Sequence, residues 1–210
     1  TEAMYVSEIS GGTLYINDQA TESVFKAEAG NYDIIHLAMH TWLSDQNPMA
    51  SAMIFSQIND QPEDGLLNTF EVYGIPLKAR MVVLSSCNTG SGILSSGEGI
   101  LSLARGFIYS GSQSVVMSLW EIEDKSGTEI VTMFYDELMK GFSKSRALKK
   151  ARTEYLKHAS QMKSHPYFWS ALTVYGDNST VYPQRKIVIS AICVIVLALF
   201  ATYFLYRRYS

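Results

Sequence analysis

The chain alternates short, continuously apolar runs with longer segments in which apolar residues recur every three or four positions. Runs of the first kind predict buried strands, because a strand that is covered on both faces of a sheet shows no polar alternation. Segments of the second kind predict amphipathic helices. In chain order the pattern predicts strands at 14–17, 34–39, 53–55, 80–85, 114–119 and 168–175, and helices at 21–29, 68–73, 99–109, 126–139 and 144–162.

This order of elements predicts an α/β fold with a mostly parallel sheet flanked by helices on both faces. A segment of about 180 residues is long enough to bury one substantial core, so we expect a single domain over residues 1–182. The sequence contains neither an internal repeat nor a low-complexity tract. Because the chain begins at Thr1 without a methionine, we expect it to be the C-terminal portion of a longer protein with an upstream repeat or sensor domain.

The end of the chain has a different character. Residues 187–206 carry no charge and are bracketed by Arg185-Lys186 and Arg207-Arg208. A helix of about 20 apolar residues spans the hydrocarbon core of a bilayer. We therefore expect residues 183–210 to form a juxtamembrane linker, a single transmembrane helix at 187–206 and a short basic tail. The basic residues on the two sides balance, so the positive-inside rule leaves the orientation open.

Two of the predicted strands lead to side chains that suit nucleophilic catalysis. The run 34–39 ends at His40, and the run 80–85 leads to Cys87, which opens the glycine-rich turn 88–92. In open α/β sheets the ligand crevice lies outside the carboxyl ends of the parallel strands, where both side chains can face it. A neighbouring imidazole activates a thiol and can later protonate a leaving amine. Taken singly, each residue is explained as well by an ordinary buried cysteine or core histidine, and their spacing of 47 positions favours a dyad.

Further motifs follow in a fixed order along the chain. They are His36-Leu37-Ala38-Met39-His40, Leu84-Ser85-Ser86-Cys87-Asn88-Thr89-Gly90, Gly97-Glu98-Gly99, Ser118-Leu119-Trp120, His165-Pro166-Tyr167-Phe168-Trp169 and Val174-Tyr175-Gly176. Together these motifs resemble the CHAT domain, a family of caspase-like cysteine peptidases in the clan of separase and the caspases, often found behind tetratricopeptide repeats. The resemblance covers roughly residues 14–177.

The resemblance implies a role for several residues. The family's catalytic histidine falls on His40, its nucleophile falls on Cys87, and His36 becomes a supporting residue. The resemblance also implies an oxyanion hole formed by the backbone N–H groups of Thr41 and Cys87. The family usually has glycine at the position of Thr41, and threonine keeps the N–H but loses glycine's access to positive φ.

The segment after the strand 114–119 should border the same cleft. Trp120, Glu121 and Asp124 are candidates for a substrate pocket, in which the acids receive a basic substrate side chain. Asp124 is explained equally well as the N-cap of the following helix. His36 and His40 lack the glutamate and the third ligand of a zinc motif, and the glycine-rich stretch 90–99 lacks a phosphate-binding ending, so we expect no metal and no cofactor.

Charge is concentrated in one predicted helix. Residues 140–163 contain eight basic residues and a single acid, Glu154, whereas residues 1–139 are strongly acidic. The helical spacing of the apolar residues leaves the lysines on the solvated face. That face is either an ordinary helix surface or a site that docks on anionic lipid near the anchor, which would favour a cytoplasmic location. No base-stacking motif accompanies the charge, so a nucleic-acid partner is not expected.

Two functional hypotheses of different class remain. The first is a membrane-anchored cysteine endopeptidase that cleaves protein or peptide substrates through Cys87 and His40. The second is a catalytically inactive caspase-like scaffold that recruits partners at the membrane. An acyltransferase or another cysteine hydrolase ranks below both, because the motifs match a peptidase family.

Overall fold

The computed structural model describes residues 1–57, 63–85 and 98–182. Six α-helices and seven β-strands lie within them. The helices are α1 (Glu2–Ser10), α2 (Glu22–Glu28), α3 (Thr69–Val72), α4 (Glu98–Tyr109), α5 (Asp124–Met139) and α6 (Lys144–His158). The strands are β1 (Ile34–Leu37), β2 (Thr41–Trp42), β3 (Ala52–Ile54), β4 (Leu66–Asn68), β5 (Met81–Leu84), β6 (Ser114–Ser118) and β7 (Leu172–Gly176).

The main sheet has the strand order β1-β5-β6-β7. Strands β1, β5 and β6 are parallel, and β7 runs antiparallel to β6. The register between β1 and β5 places Leu37 opposite Leu84. A second, small antiparallel sheet has the order β2-β3-β4. The mostly parallel α/β sheet predicted from the sequence is confirmed.

The central strand β5 separates two hydrophobic cores. Val82 and Leu84 face a core that includes residues of α2, α3 and α4, and Met81 and Val83 face a core that includes residues of α1, α5 and α6. All four residues are at most 1% exposed. Helices therefore cover both faces of the sheet, which explains why this strand is apolar at every position.

Some predicted elements differ from the structure. The strand predicted at 14–17 is wrong: residues 13–16 form no regular element, and Asn17 begins a 3₁₀ helix with φ 50°, which takes the backbone out of the extended region. Helix α1, the two strands β2 and β4, and the antiparallel small sheet were not predicted. Helix α6 ends at His158, where Ala159 turns to extended geometry, and not at Met162.

None of the helices in the described ranges is long and apolar enough to cross a bilayer. The predicted span, residues 187–206, lies outside the described residues.

Candidate functional site

The carboxyl ends of β1 and β5 lie side by side. Beyond the last paired residues, the Ser85 N–H donates a hydrogen bond to the Leu37 carbonyl at 3.0 Å. His40 follows Leu37 by three residues and is exposed. The predicted catalytic histidine therefore lies at the edge of the sheet where the parallel strands end, which is where α/β proteins bind their ligands.

A cavity of about 1130 Å³ runs the length of β1, from Asp33 and Val181 to this edge. Its lining includes His40 after β1, Ser85 after β5 and Ser118 at the end of β6. Ile122 and Asp124, from the connection into α5, complete this end of the lining, and the cavity continues along β1 toward α1. The ends of all three parallel strands thus face one concave space, which is the arrangement that a substrate site requires.

Cys87 lies outside the described residues, as do the other residues between Ser85 and Glu98. Ser85, the last described residue before the cysteine, lines the cavity. The His40–Cys87 pair and the Cys87 N–H of the oxyanion hole therefore remain predictions.

Thr41, the other expected oxyanion donor, is 1% exposed and begins β2, where it lies opposite Met53. The neighbouring His40 carbonyl accepts a hydrogen bond from the Ile54 N–H at 2.9 Å. Asn17 is the single non-glycine residue with positive φ in the described ranges, so Thr41 has an ordinary extended backbone. Threonine therefore fits this position without backbone strain.

The three candidate pocket residues occupy different surroundings. Trp120 is 38% exposed, and its indole Nε1 donates to the Tyr167 carbonyl at 3.0 Å. Glu121 is exposed. Asp124 is the first residue of α5 and lines the cavity together with His40. The N-cap position expected for Asp124 belongs to Glu123.

Glu123 is held by two partners. Its carboxylate accepts from the Ser126 hydroxyl at 2.7 Å and pairs with Lys163 Nζ at 2.7 Å. Both contacts lower the pKa of Glu123, and the hydrogen bond with Lys163 has the larger effect. Glu123 therefore ties the start of α5 to Lys163, and Asp124 lines the cavity.

His36, the expected supporting residue, lies in a polar cluster that sequence reasoning did not find. Its side chain is 8% exposed, with Nε2 at 2.9 Å from Glu2 Oε1 and Nδ1 at 3.1 Å from the Tyr135 hydroxyl. The Tyr135 side chain is fully buried, and this burial raises its pKa well above the usual value. The cluster ties α1 and α5 to β1, four residues before His40. Glu2 and Tyr135 are 34 and 99 residues from His36 in the sequence, so no local pattern could reveal the contact.

The described residues contain one group of three acidic side chains close enough to bind a metal: Glu22, Glu63 and Glu71. The Lys26 ammonium occupies the centre of this group, with Nζ between 2.7 and 2.9 Å from each carboxylate. Burial opposes the charge on Lys26, but hydrogen bonds to the three carboxylates outweigh it and raise the pKa of Lys26. The arrangement is a four-residue ion-pair network, in which the lysine supplies the cation.

Three parallel strands that end at one cavity, an antiparallel edge strand and helices on both faces define a caspase-like α/β fold. The solved structure titled "Crystal structure of the Arg specific cysteine proteinase gingipain R (RGPB)" has a similar fold, with a TM-score of 0.53. The two chains are 10% identical, and the match covers 87% of this chain and 42% of that one. The model of the CHAT domain matches residues 1–177, and the chain belongs to the CHAT domain family.

Two curated proteins are similar over most of the chain. Tetratricopeptide repeat protein 28 of Homo sapiens is 26% identical over 208 residues, and the protein of that name from Mus musculus is 25% identical over 208 residues. Each match covers 84% of this chain and 8% of the relative. The chain therefore spans less than a tenth of the length of these relatives.

Proposed function

We propose that the chain is a membrane-anchored cysteine endopeptidase in which His40 and Cys87 form the catalytic dyad. The observation that carries this proposal is the equal offset of the two residues from paired positions. Leu37 and Leu84 are register partners, and His40 and Cys87 each follow their strand by three residues. Three residues of extended chain cover at most about 10 Å, so the short distance along the chain from the paired residues supports a meeting of the two side chains at this edge.

The dyad would cleave a peptide bond in two steps. In the first, the Cys87 thiolate attacks the scissile carbonyl, a C–S bond forms, the C–N bond breaks, and protonated His40 gives its proton to the leaving amine. In the second, His40 takes a proton from water, the resulting hydroxide attacks the thioester carbonyl, and the C–S bond breaks, which releases the acid and returns the Cys87 thiolate beside protonated His40. Because the imidazole serves both steps, its loss should cost most of the rate.

The tetrahedral intermediates need donors for their oxyanion. The backbone N–H groups of Thr41 and Cys87 are the proposed donors, each worth roughly 3 kcal/mol in comparable sites. The burial of Thr41 in β2 supports a fixed position for its backbone. A donor of this kind acts through its fixed direction in a water-poor site.

Substrate selection is assigned to the connection between β6 and α5. Asp124 at the cavity lining, with the exposed Glu121 and Trp120 nearby in the sequence, would favour a basic substrate side chain.

The proposed membrane anchor comes from the sequence: residues 183–210 contain the linker, the membrane span at 187–206 and the basic tail. We place the peptidase domain in the cytoplasm behind an upstream repeat or sensor domain, and we propose neither a cofactor nor a nucleic-acid partner.

A peptide-library cleavage profile on the intact chain tests the proposal. We expect cleavage with enrichment of a basic residue before the cut, no cleavage by Cys87→Ala, and a loss of roughly 10²–10⁴-fold in His40→Ala. His158→Ala is the matched control, because His158 is an exposed histidine at the end of α6 that pairs with Glu154. Its cleavage rate should equal that of the unchanged chain.

One observation favours a second candidate, an inactive caspase-like scaffold at the membrane. The position that the family usually fills with glycine is Thr41, and its backbone is an ordinary strand paired with Met53. If the oxyanion hole needs a conformation that only glycine adopts, the site cannot stabilise the intermediate. A folded chain that cleaves no library peptide, with and without Thr41→Gly, would support the scaffold.

A further inference from the structure

The segment Asp177–Tyr182, which we call the strap, is tied to the start of α6. The Lys144 Nζ donates to the Asp177 carbonyl and carboxylate, both at 3.1 Å, although Lys144 is 0% exposed. The Ser145 N–H donates to Asn178 Oδ1 at 2.7 Å, and Ser143 forms an isolated bridge with Thr180. A lysine is rarely buried unless it is paired, so this contact fixes the strap to the helix.

The strap is also tied to the start of β5. Arg80, the residue before that strand, donates to the carbonyls of Thr180 and Val181 at 2.7 and 2.6 Å. Val181 itself is buried. The strap thus lies at the edge of the sheet where the parallel strands begin, opposite the edge where His40 lies.

The surface beside the strap is basic. One groove between α5 and α6 is lined by Lys140, Arg146, Lys149 and Lys150, which we call the basic end. The same groove also contains the acids Asp136, Glu137 and Glu154. Glu137 pairs with Lys140 and Lys150 at 2.6 and 2.8 Å. In the part of the chain that the structure describes, no carboxylate lies within ion-pair distance of Arg146 or Lys149, both of which are exposed.

One aromatic side chain is part of this surface. The Arg146 guanidinium and the Lys150 ammonium lie 4.7 and 4.6 Å from the centre of the Phe142 ring. Phe142 is half-buried. Phe142 also packs against the core that includes residues of α5 and α6, so it holds the two cations in place at the surface, where they can meet lipid phosphates.

We infer that the basic end and the strap form the membrane-facing surface of the domain, which docks on anionic lipid headgroups and turns the His40 edge away from the bilayer. This inference rests on the membrane anchor of the proposed function. Four residues, 183–186, separate the strap from the apolar run and extend over at most about 14 Å. The basic end is therefore held close to the headgroup layer, where each cation gains roughly 1 kcal/mol from anionic lipid.

The same geometry sets the height of the candidate site. The five steps from Arg80 to Ser85 along β5 cover about 17 Å at strand spacing. The His40 edge therefore faces the aqueous side, at a distance where the lipid charge is screened. Substrates would be soluble or extended segments that reach the domain from that side, rather than segments within the membrane.

Headgroup quenching on the reconstituted full chain tests this orientation. An environment-sensitive fluorophore is attached through Ser145→Cys beside the strap, or through Gln46→Cys in the exposed loop after β2, each in a Cys87→Ser, Cys193→Ser background. Vesicles of phosphatidylcholine alone are compared with vesicles that also contain phosphatidylserine, both with a nitroxide quencher on the headgroup. We expect phosphatidylserine to increase quenching at position 145 about twofold and to leave position 46 unchanged.

The variant that tests the basic end combines Arg146→Glu with Lys149→Glu, two exposed positions whose substitution should leave thermal stability nearly unchanged. It should remove the phosphatidylserine effect, as should 0.5 M salt, at which charges are screened within about 4 Å. Equal quenching at the two positions, or stronger quenching at position 46, would overturn the orientation. Flotation of the vesicles after an alkaline wash measures separately whether the chain is anchored in the membrane. A chain that floats with the vesicles but fails the quenching test therefore refutes the orientation alone. A chain that does not float refutes the anchor and the inference together.

Discussion

Gly99 lies where helix α4 begins against the loop that follows β2, and adding one methyl group there should separate the two. A Cβ at Gly99 would lie 2.9 Å from Ser51 Oγ, 3.1 Å from Leu43 Cβ and 3.2 Å from the Ser44 backbone nitrogen. Two of these neighbours cannot easily move. Ser51 is 0% exposed, and its hydroxyl accepts a hydrogen bond from the Ser44 N–H at 2.9 Å. The atom of Ser44 that the new Cβ would contact is the backbone nitrogen, which cannot rotate away as a side chain can.

Two effects of Gly99→Ala oppose each other. Alanine improves helix propensity by up to about 1 kcal/mol in a helix interior, but Gly99 is the second residue of α4 and gains less. Overpacking of a rigid site costs about 1–3 kcal/mol, and the outward shift also strains the bond from the Gly99 N–H to Asp45 Oδ1. The clash should prevail, with a loss of about 1–2 kcal/mol and a fall in Tm of roughly 2–8 °C.

Thermal unfolding of Gly99→Ala beside Gly127→Ala measures this directly. Gly127 also lies in the first turns of a helix, α5, but its Cβ would meet only the flexible end of the Ile122 side chain, at 3.1 and 3.4 Å. We expect Gly127→Ala to leave Tm unchanged or to raise it slightly. A Gly99→Ala variant as stable as the unchanged chain, or more stable, would refute the close approach of α4 to the loop 43–51.

Three further predictions concern the clusters around β1 and the strap. Tyr135→Phe removes the hydroxyl beside buried His36 Nδ1 and should lower the free energy of unfolding by about 1–3 kcal/mol in a denaturant titration, whereas no change would mean that the contact is not made. Lys144→Met should speed amide hydrogen exchange of residues 177–182 roughly tenfold without changing that of β5, and unchanged exchange would show that the strap is held by other contacts. The hydroxyl of Ser179 and then Lys144 lower the pKa of Asp177 to about 2, below the usual value near 3.9 of the unfolded chain. The stabilisation of the strap by ionised Asp177 is therefore complete above about pH 4 and is lost as the pH falls toward 2. Amide hydrogen exchange in the strap, corrected for intrinsic rates, should accelerate over that range in the unchanged chain but not in Asp177→Asn.

The strands of the main sheet could be predicted from the sequence because burial on both faces of the sheet requires apolar residues along each strand. β5 is apolar at all four positions because helices cover both faces of the sheet. β1 and β6 follow the same rule more loosely. The short pattern at 14–17 misled because three apolar residues suffice to resemble a strand, while the pairing partner that would make one is not encoded nearby.

The contacts that position the candidate site are long-range and could not be predicted. The Tyr5 hydroxyl that holds α1 donates to Asp136 at 2.5 Å across 131 residues, and this bond is the first cause that raises the pKa of Tyr5 to about 12. Lys144 at the start of the basic helix α6 is fully buried, and its partner Asp177 lies 33 residues away in the sequence. Of the site itself, the sequence indicated His40 and its edge, but not the cluster of Glu2, His36 and Tyr135.

The most direct test of the central claim is covalent labelling of the intact chain by a peptide that carries a thiol-directed warhead, with the site read by mass spectrometry. We predict that the label is found on Cys87 and not on Cys193, that Cys87→Ala abolishes it, and that His40→Ala slows it by roughly 10²–10⁴-fold while His158→Ala does not. Labelling of Cys87 at the same rate with and without the His40 imidazole would contradict the dyad.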